Sequence, residues 1–218
     1  MIKYKLTDQD LKTFNDFQWE VGKEYEISGI GELCSDGWLH YYHHPLLAIL
    51  MNPIHADIKN PRLWEVEANG DHLDDKGLKG GCTKMKLVKE LPLPEISLNQ
   101  KISFGILCSL EVYKEESYVK WANDWLSGRN RTASAARTIH TVHVDDAASY
   151  AASYAADAVY AYIADAYIAN ASYDSYAGYA NDAADDAAVY AASAAASAVK
   201  TTYVILDLIS IAKKAMTY

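Results

Sequence analysis

The densest group of reactive side chains in the sequence is Cys34, His40, His43 and His44, with His55 and Asp57 following. Thiolate and imidazole are zinc ligands, and Cys34, His40 and His43 lie close enough in sequence to chelate one ion. The zinc-finger spacings are absent and no second cysteine pair closes the site, so neither a resident metal nor a cofactor is expected. A cysteine near a histidine is also the pairing of a nucleophile with its base, and Cys34 with His40, His43 or His44 supplies those residue types. Glu65 and Glu67 fall on one face of an alternating stretch and could form an acid–base or metal pair, as could Asp74 and Asp75. Such pairs on a strand are more often a solvated face. The candidate catalytic residues are therefore His40, His43, His44, Cys34, Glu65 and Glu67. Cys108 sits in an apolar run and reads as a small core residue. Residues 77–81, Gly-Leu-Lys-Gly-Gly, lack the full glycine-rich pattern that ends in Lys-Ser/Thr before a helix, so no nucleotide site is expected.

The elements that must position these residues can be read from periodicity. Residues 1–11 give a short strand and a polar turn. Residues 17–27, FQWEVGKEYEI, alternate loosely around Gly22 and read as a strand pair. Pro45 suits the first turn of a short helix over 46–51, which Asn52-Pro53 would stop. Residues 61–68, PRLWEVEA, set Leu63, Glu65 and Glu67 against Trp64, Val66 and Ala68, the pattern of a half-buried strand. Residues 69–81 read as a polar, glycine-rich connection, and residues 82–91 as another strand ended by Pro92 and Pro94. Helical spacing then takes over at 102–112, 115–126 and 132–143. Trp121 and Trp125, four apart on one helix face, read as packing residues.

From 145 to 199 the chain is almost entirely Ala, Tyr, Asp and Ser, with eight aspartates, no lysine or arginine, no proline and one glycine. Alanine is the strongest helix former, so this segment reads as helix capped by Asp145 or Asp146. Alanine pairs recur every four residues from Ala147 to Ala156 and from Ala183 to Ala192, forming smooth ribbons that let backbones approach closely. A single rod would span about 80 Å. Weak points at 170–174 and 178–182 favour antiparallel helices instead. The final segment is β-branched and aliphatic at 201–206, then amphipathic with Lys213 and Lys214 at its favourable end. The expected fold class is α+β: a small antiparallel or mixed sheet domain over 1–94, connecting helices over 95–130, and an alanine- and tyrosine-rich helical region over 131–218.

Composition excludes several function classes. A net charge of -9 with a pI near 5.2 argues against direct nucleic-acid binding, which needs basic surface. Three scattered cysteines, Cys34, Cys82 and Cys108, outline no disulfide framework and point to a reducing cytoplasm. The first residues lack the apolar run of a signal peptide, and every apolar stretch is shorter than the about 20 residues a membrane span requires.

The stretches Val21-Gly22-Lys23-Glu24-Tyr25, Cys34 with Gly37, Pro45-Leu46, and Glu65-Val66 through Gly70 resemble an uncharacterised family of small domains found mainly in phage and prophage proteins. The resemblance covers about residues 14–91. It departs at His40, which stands three residues after Gly37 instead of two. It implies a phage setting and an N-terminal module joined to variable, often alanine-rich tails, without an activity. The expected function is non-enzymatic: an interaction or oligomerising protein whose partners are itself, through the alanine-rich helices, and a host protein that it binds and inhibits. An enzyme or small-ligand binder using Cys34, His40, His43 and His44 is the alternative. A mimic of nucleic acid is a third, although eight carboxylates over about 80 Å fall several-fold short of duplex DNA, with one charge per about 1.7 Å.

Overall fold

A computed structural model describes residues 1–140, 147–169, 174–199 and 206–218. The caps expected at Asp145 or Asp146, all of the expected break at 170–174 except Asp174, and residues 201–205 of the β-branched run lie outside these residues. The chain is α+β and divides into two compact units, Met1–Glu95 and Ile96–Tyr218. Among the described residues no helix is long and apolar enough to cross a membrane.

The first unit is a curled antiparallel sheet. Strand β1 (Ile2–Thr7) pairs with β6 (Arg62–Asp75), and β6 pairs with β7 (Lys79–Leu91). The far edge of β7 takes β4 (Glu24–Glu26) and β5 (Leu39–Tyr41) in succession. Just past β5, Tyr42 exchanges two backbone hydrogen bonds with Tyr4, at 3.0 and 2.7 Å. That exchange returns the chain to β1, so β1, β6, β7 and β5 form a closed ring of strands. Closure leaves no unpaired edge at this point and defines an interior. Trp19, Leu39, Tyr41, Trp64, Val66, Ala68, Cys82, Met85 and Leu87 fill it. The short strands β2 (Lys12–Thr13) and β3 (Phe17–Gln18) form a separate ribbon, and helix α1 (Pro45–His55) packs on β1.

Three expectations need correction. Residues 17–27 do not pair with one another: the turn at Gly22, whose N–H donates to the Leu87 carbonyl, sends β3 to β2 and β4 to β7. Pro53 does not stop α1, which runs to His55. Its last turn is held by Asn52, whose carbonyl accepts from Ala56 and Asp57 and whose side chain brackets the Ile58 backbone. The polar stretch 69–81 is no loose connection, because β6 and β7 continue through it as one long hairpin. At the tip, Lys76 and Gly77 have φ of 51° and 81°, and the Leu78 N–H donates to the Asp75 carbonyl at 2.8 Å. Positive φ at both central residues is the tight turn whose twist matches paired strands.

In the second unit, α2 (Leu98–Val112) begins with a capping box between Ser97 and Gln100 and packs on α5 (Ala147–Ala169), α6 (Asp174–Ala198) and α7 (Leu208–Ala215). Helices α3 (Glu116–Leu126) and α4 (Ala133–His140) complete it. The Tyr154 and Tyr190 rings meet at 5.3 Å, near the start of α5 and the end of α6, so these helices run antiparallel. Ala151, Ala155, Ala156, Ala188, Ala191 and Ala192 are buried. Trp121 and Trp125 are buried as packing residues. A Cβ added to Gly105 of α2 would stand 3.1 Å from Ala188 Cα, so bare backbones meet there. Gly105→Val should therefore destabilise this unit by about 1–3 kcal/mol through overpacking. Urea unfolding checks this, and an unchanged midpoint would contradict the close approach.

Candidate functional site

The site starts with the direction of two side chains on β1. Residues directly opposite in an antiparallel pair share a sheet face. Lys5 lies opposite Trp64 and Lys3 opposite Val66, so both lysines face the interior side of the ring. Lys5 is only 7 % exposed. Its ammonium donates to the His40 carbonyl at 2.8 Å and lies 4.9 Å from the Trp19 ring centroid. Among the described residues no carboxylate lies within 4.0 Å of it, unlike Lys84 and Lys86, which pair with Glu26 and Glu67. Burial without a counter-ion disfavours the charged form and pushes the Lys5 amine down to about 8.

Two cavities of about 220 Å³ each share Lys5, Thr13, Phe14, Cys34 and His40 in their walls. The first continues over Phe17, Trp19 and Trp38, with Asn15, Ser35 and Asp36 adding polar atoms. The second continues to Tyr42, His55, Ile58 and Lys79. Phe14, which borders both cavities, is itself largely exposed. Gly37 shapes the loop that carries Cys34: a Cβ there would stand 1.9 Å from the Ile30 carbonyl oxygen, which no side chain permits.

Two imidazoles border the second cavity. His40 Nε2 is hydrogen-bonded to the Leu33 carbonyl, and His55 stacks on Tyr42 with ring centroids 6.3 Å apart. Among the described residues, His55 Nδ1 is buried with no hydrogen-bond partner. Burial pushes both rings down to about 4; the Lys5 and Lys79 charges add to this at His40, and the Lys79 charge at His55. Near neutral pH the walls therefore present one or two ammonium groups, two neutral imidazoles and aromatic surface. This combination suits an anionic group attached to a planar or apolar body.

Of the residues singled out by sequence, the structure brings Cys34, His40 and His55 to this place and gives the others different partners. His43 bonds Lys3 and Asp74 instead, at 2.7 and 2.5 Å. His44 caps α1, accepting from the Leu46 N–H at 3.2 Å. Glu67 pairs with Lys86 at 2.7 Å, and Glu65 stands opposite Lys89 in the β6–β7 ladder. Cys108 is buried in α2, where desolvation holds its thiol well above the usual range. The glycines at 77, 80 and 81 belong to the hairpin and precede a strand, not a helix. Among the described residues no group of three or more His, Cys, Asp or Glu side chains is placed to hold a metal ion. Lys5 and Lys79 were not found from the sequence as parts of this site. An alternating Lys-Tyr-Lys strand ordinarily turns its lysines to water, and only ring closure reverses that.

Residues 1–99 match a family described as a domain of unknown function (DUF7666), so the match contains every residue of both cavities. No curated protein and no solved structure matches the chain.

His40 and His55 are ordinary histidines when unfolded, near 6.5, and near 4 when folded. The unfolded chain binds more protons between those values, so their stabilising contribution is complete above 6.5 and is lost as pH falls towards 4. The first unit should lose about 2–3 kcal/mol per imidazole over that window. His55→Phe, which keeps the stack on Tyr42, should flatten the loss. Melting curves from neutral pH to pH near 4 check it, and equal acid sensitivity in the variant would contradict the assignment.

Proposed function

We propose that the first unit is a non-enzymatic binding module for a small anion carrying a planar or apolar body. The observation that carries this reading is the buried, carboxylate-free ammonium of Lys5 at the wall of both cavities. A buried cation is costly until an opposite charge reaches it, and a ligand carboxylate, sulfonate or phosphate supplies that charge with a charge-assisted hydrogen bond. Lys79 adds a lysine to the wall of the second cavity, while Phe17, Trp19 and Trp38 offer the apolar body a surface in the first. No step of bond making is assigned to this site.

A second reading concerns the helical unit. The methyl ribbons expected to meet another chain are filled within this one, whereas Tyr150, Tyr160 and Tyr190 stay exposed on α5 and α6. Tyr150, Tyr154 and Tyr190 form a row of neighbouring rings, at 6.3 and 5.3 Å. Aromatic side chains with a hydroxyl are favoured at protein interfaces, and we take this row as the surface for a second copy. The cytoplasm suits Cys34, Cys82 and Cys108, which are free thiols. A phage-encoded role in binding a host protein rests on the family resemblance.

Anilinonaphthalene sulfonate, an aryl anion, probes the first reading. It should bind the folded chain, weaken as pH rises through about 8 where Lys5 loses its proton, and fail with Lys5→Met. Lys5→Met should also stabilise the apo chain near neutral pH by up to about 3 kcal/mol, since the cost of the buried charge is removed. Equal dye affinity in the variant would overturn the reading. For the second, sedimentation velocity should show association of the wild type that Tyr150→Ser with Tyr190→Ser abolishes. A monomeric wild type at high micromolar concentration would contradict it.

A further inference from the structure

We propose that Lys3 is a nucleophilic amine, served by His43 and Asp74, that forms an imine with small aldehydes. Lys3 lines neither cavity, so this site is separate from the one around Lys5. Its Nζ lies 2.7 Å from His43 Nδ1, and His43 Nε2 lies 2.5 Å from Asp74 Oδ2. The other Asp74 oxygen accepts from the Gly77 N–H at 2.7 Å, which fixes the carboxylate at the tip of the hairpin. The result is a chain of carboxylate, imidazole and amine in which the imidazole is bonded at both nitrogens.

The proton positions follow from the donors available. An ammonium only donates, so His43 Nδ1 must accept and His43 Nε2 must carry the hydrogen that Asp74 receives. When Lys3 gives its proton to His43, the imidazolium that forms is paired with Asp74. This is the arrangement by which a base oriented by a third group activates a nucleophile. Lys86 instead meets the Glu67 carboxylate directly, which favours keeping its proton.

The remaining neighbours reinforce the assignment. The Tyr41 ring lies 5.3 Å from Lys3 Nζ, and the Tyr41 hydroxyl is hydrogen-bonded to His72 Nδ1 at 3.2 Å. Partial burial lowers the amine of Lys3, and the charge of Asp74 opposes that in part. The titratable groups that face it are thus His43, Asp74, His72 and Tyr41. Lys3 is itself only partly buried and Asp74 is about half exposed, so a small electrophile can reach the amine from solvent.

In the reaction, the Nζ lone pair attacks the aldehyde carbon and a C–N bond forms while the C=O π pair moves to oxygen. The proton lost from nitrogen passes through His43 to that oxygen. A second proton transfer releases water as the C=N bond forms, and no oxidant or reductant takes part.

Limiting formaldehyde with cyanoborohydride, followed by peptide mass spectrometry of the full chain, tests this. Near neutral pH, Lys3 should be methylated several-fold faster than the exposed Lys89, because His43 takes the Lys3 proton as the C–N bond forms. Its rate should also level off below the ordinary lysine range, in the direction set by its partial burial. Asp74→Asn keeps the shape but leaves the His43 imidazolium without its carboxylate, so it should erase most of the advantage even though it removes a charge that raises the Lys3 amine, while the melting temperature stays close to wild type. Lys3 labelling no faster than Lys89 in the wild type would overturn the proposal, as would an advantage unchanged in both Asp74→Asn and His43→Gln. If neither variant folds, the wild-type ratio and its pH profile decide alone.

Discussion

The mutual hydrogen bonds between Tyr4 and Tyr42 close four strands on themselves, and most of what is distinctive about the first unit depends on that closure. In an open sheet the lysines of β1 would extend into water. Inside a ring, Lys5 ends between an indole face and a carbonyl, with no carboxylate among the described residues to neutralise it. The surroundings that make its charge costly, Trp19, Leu39 and Trp64, are the same ones that fill the ring. On the proposed reading, stability and binding are opposed at one atom. A hydrophobic residue would be the better structural choice there, so a lysine needs a functional reason.

Burial also sorts the titratable groups around that atom. Lys5 is pushed towards its neutral form and His40 and His55 are held neutral, all chiefly by desolvation, with Lys79 acting in the same direction on the histidines. An anion arriving near Lys5 and Lys79 would raise all of them. Ligand affinity and proton uptake are accordingly linked at this site.

Much of the fold was legible because its signals are local. The alternation of Trp64, Val66 and Ala68 against Glu65 and Glu67 gave β6 its buried face, and Ala and Asp density announced α5 and α6. The hairpin through residues 69–81 was not legible, because a polar sequence pairs as strand when a tight turn at Lys76-Gly77 holds the register. The candidate site was legible only in part. Cys34 and His40 stood out by type, but His43 and His44 are drawn to Asp74 and to the start of α1. Lys5 gave no sign at all, since its burial comes from a pairing between positions nearly forty residues apart. The alanine ribbons were read correctly as close-packing surfaces; that they pack within the chain, with Gly105 of α2 against Ala188, required three-dimensional information.

The central claim is that Lys5 is a buried ammonium without a carboxylate partner and that an anion completes it. Heteronuclear NMR of lysine side chains, titrated with and without an aryl sulfonate, measures this at the atom concerned. The account predicts that Lys5 titrates near 8 in the free chain, apart from the solvent lysines, and moves upward when the anion is added. A Lys5 that titrates with the exposed lysines near 10.5 and does not respond to the anion would contradict it.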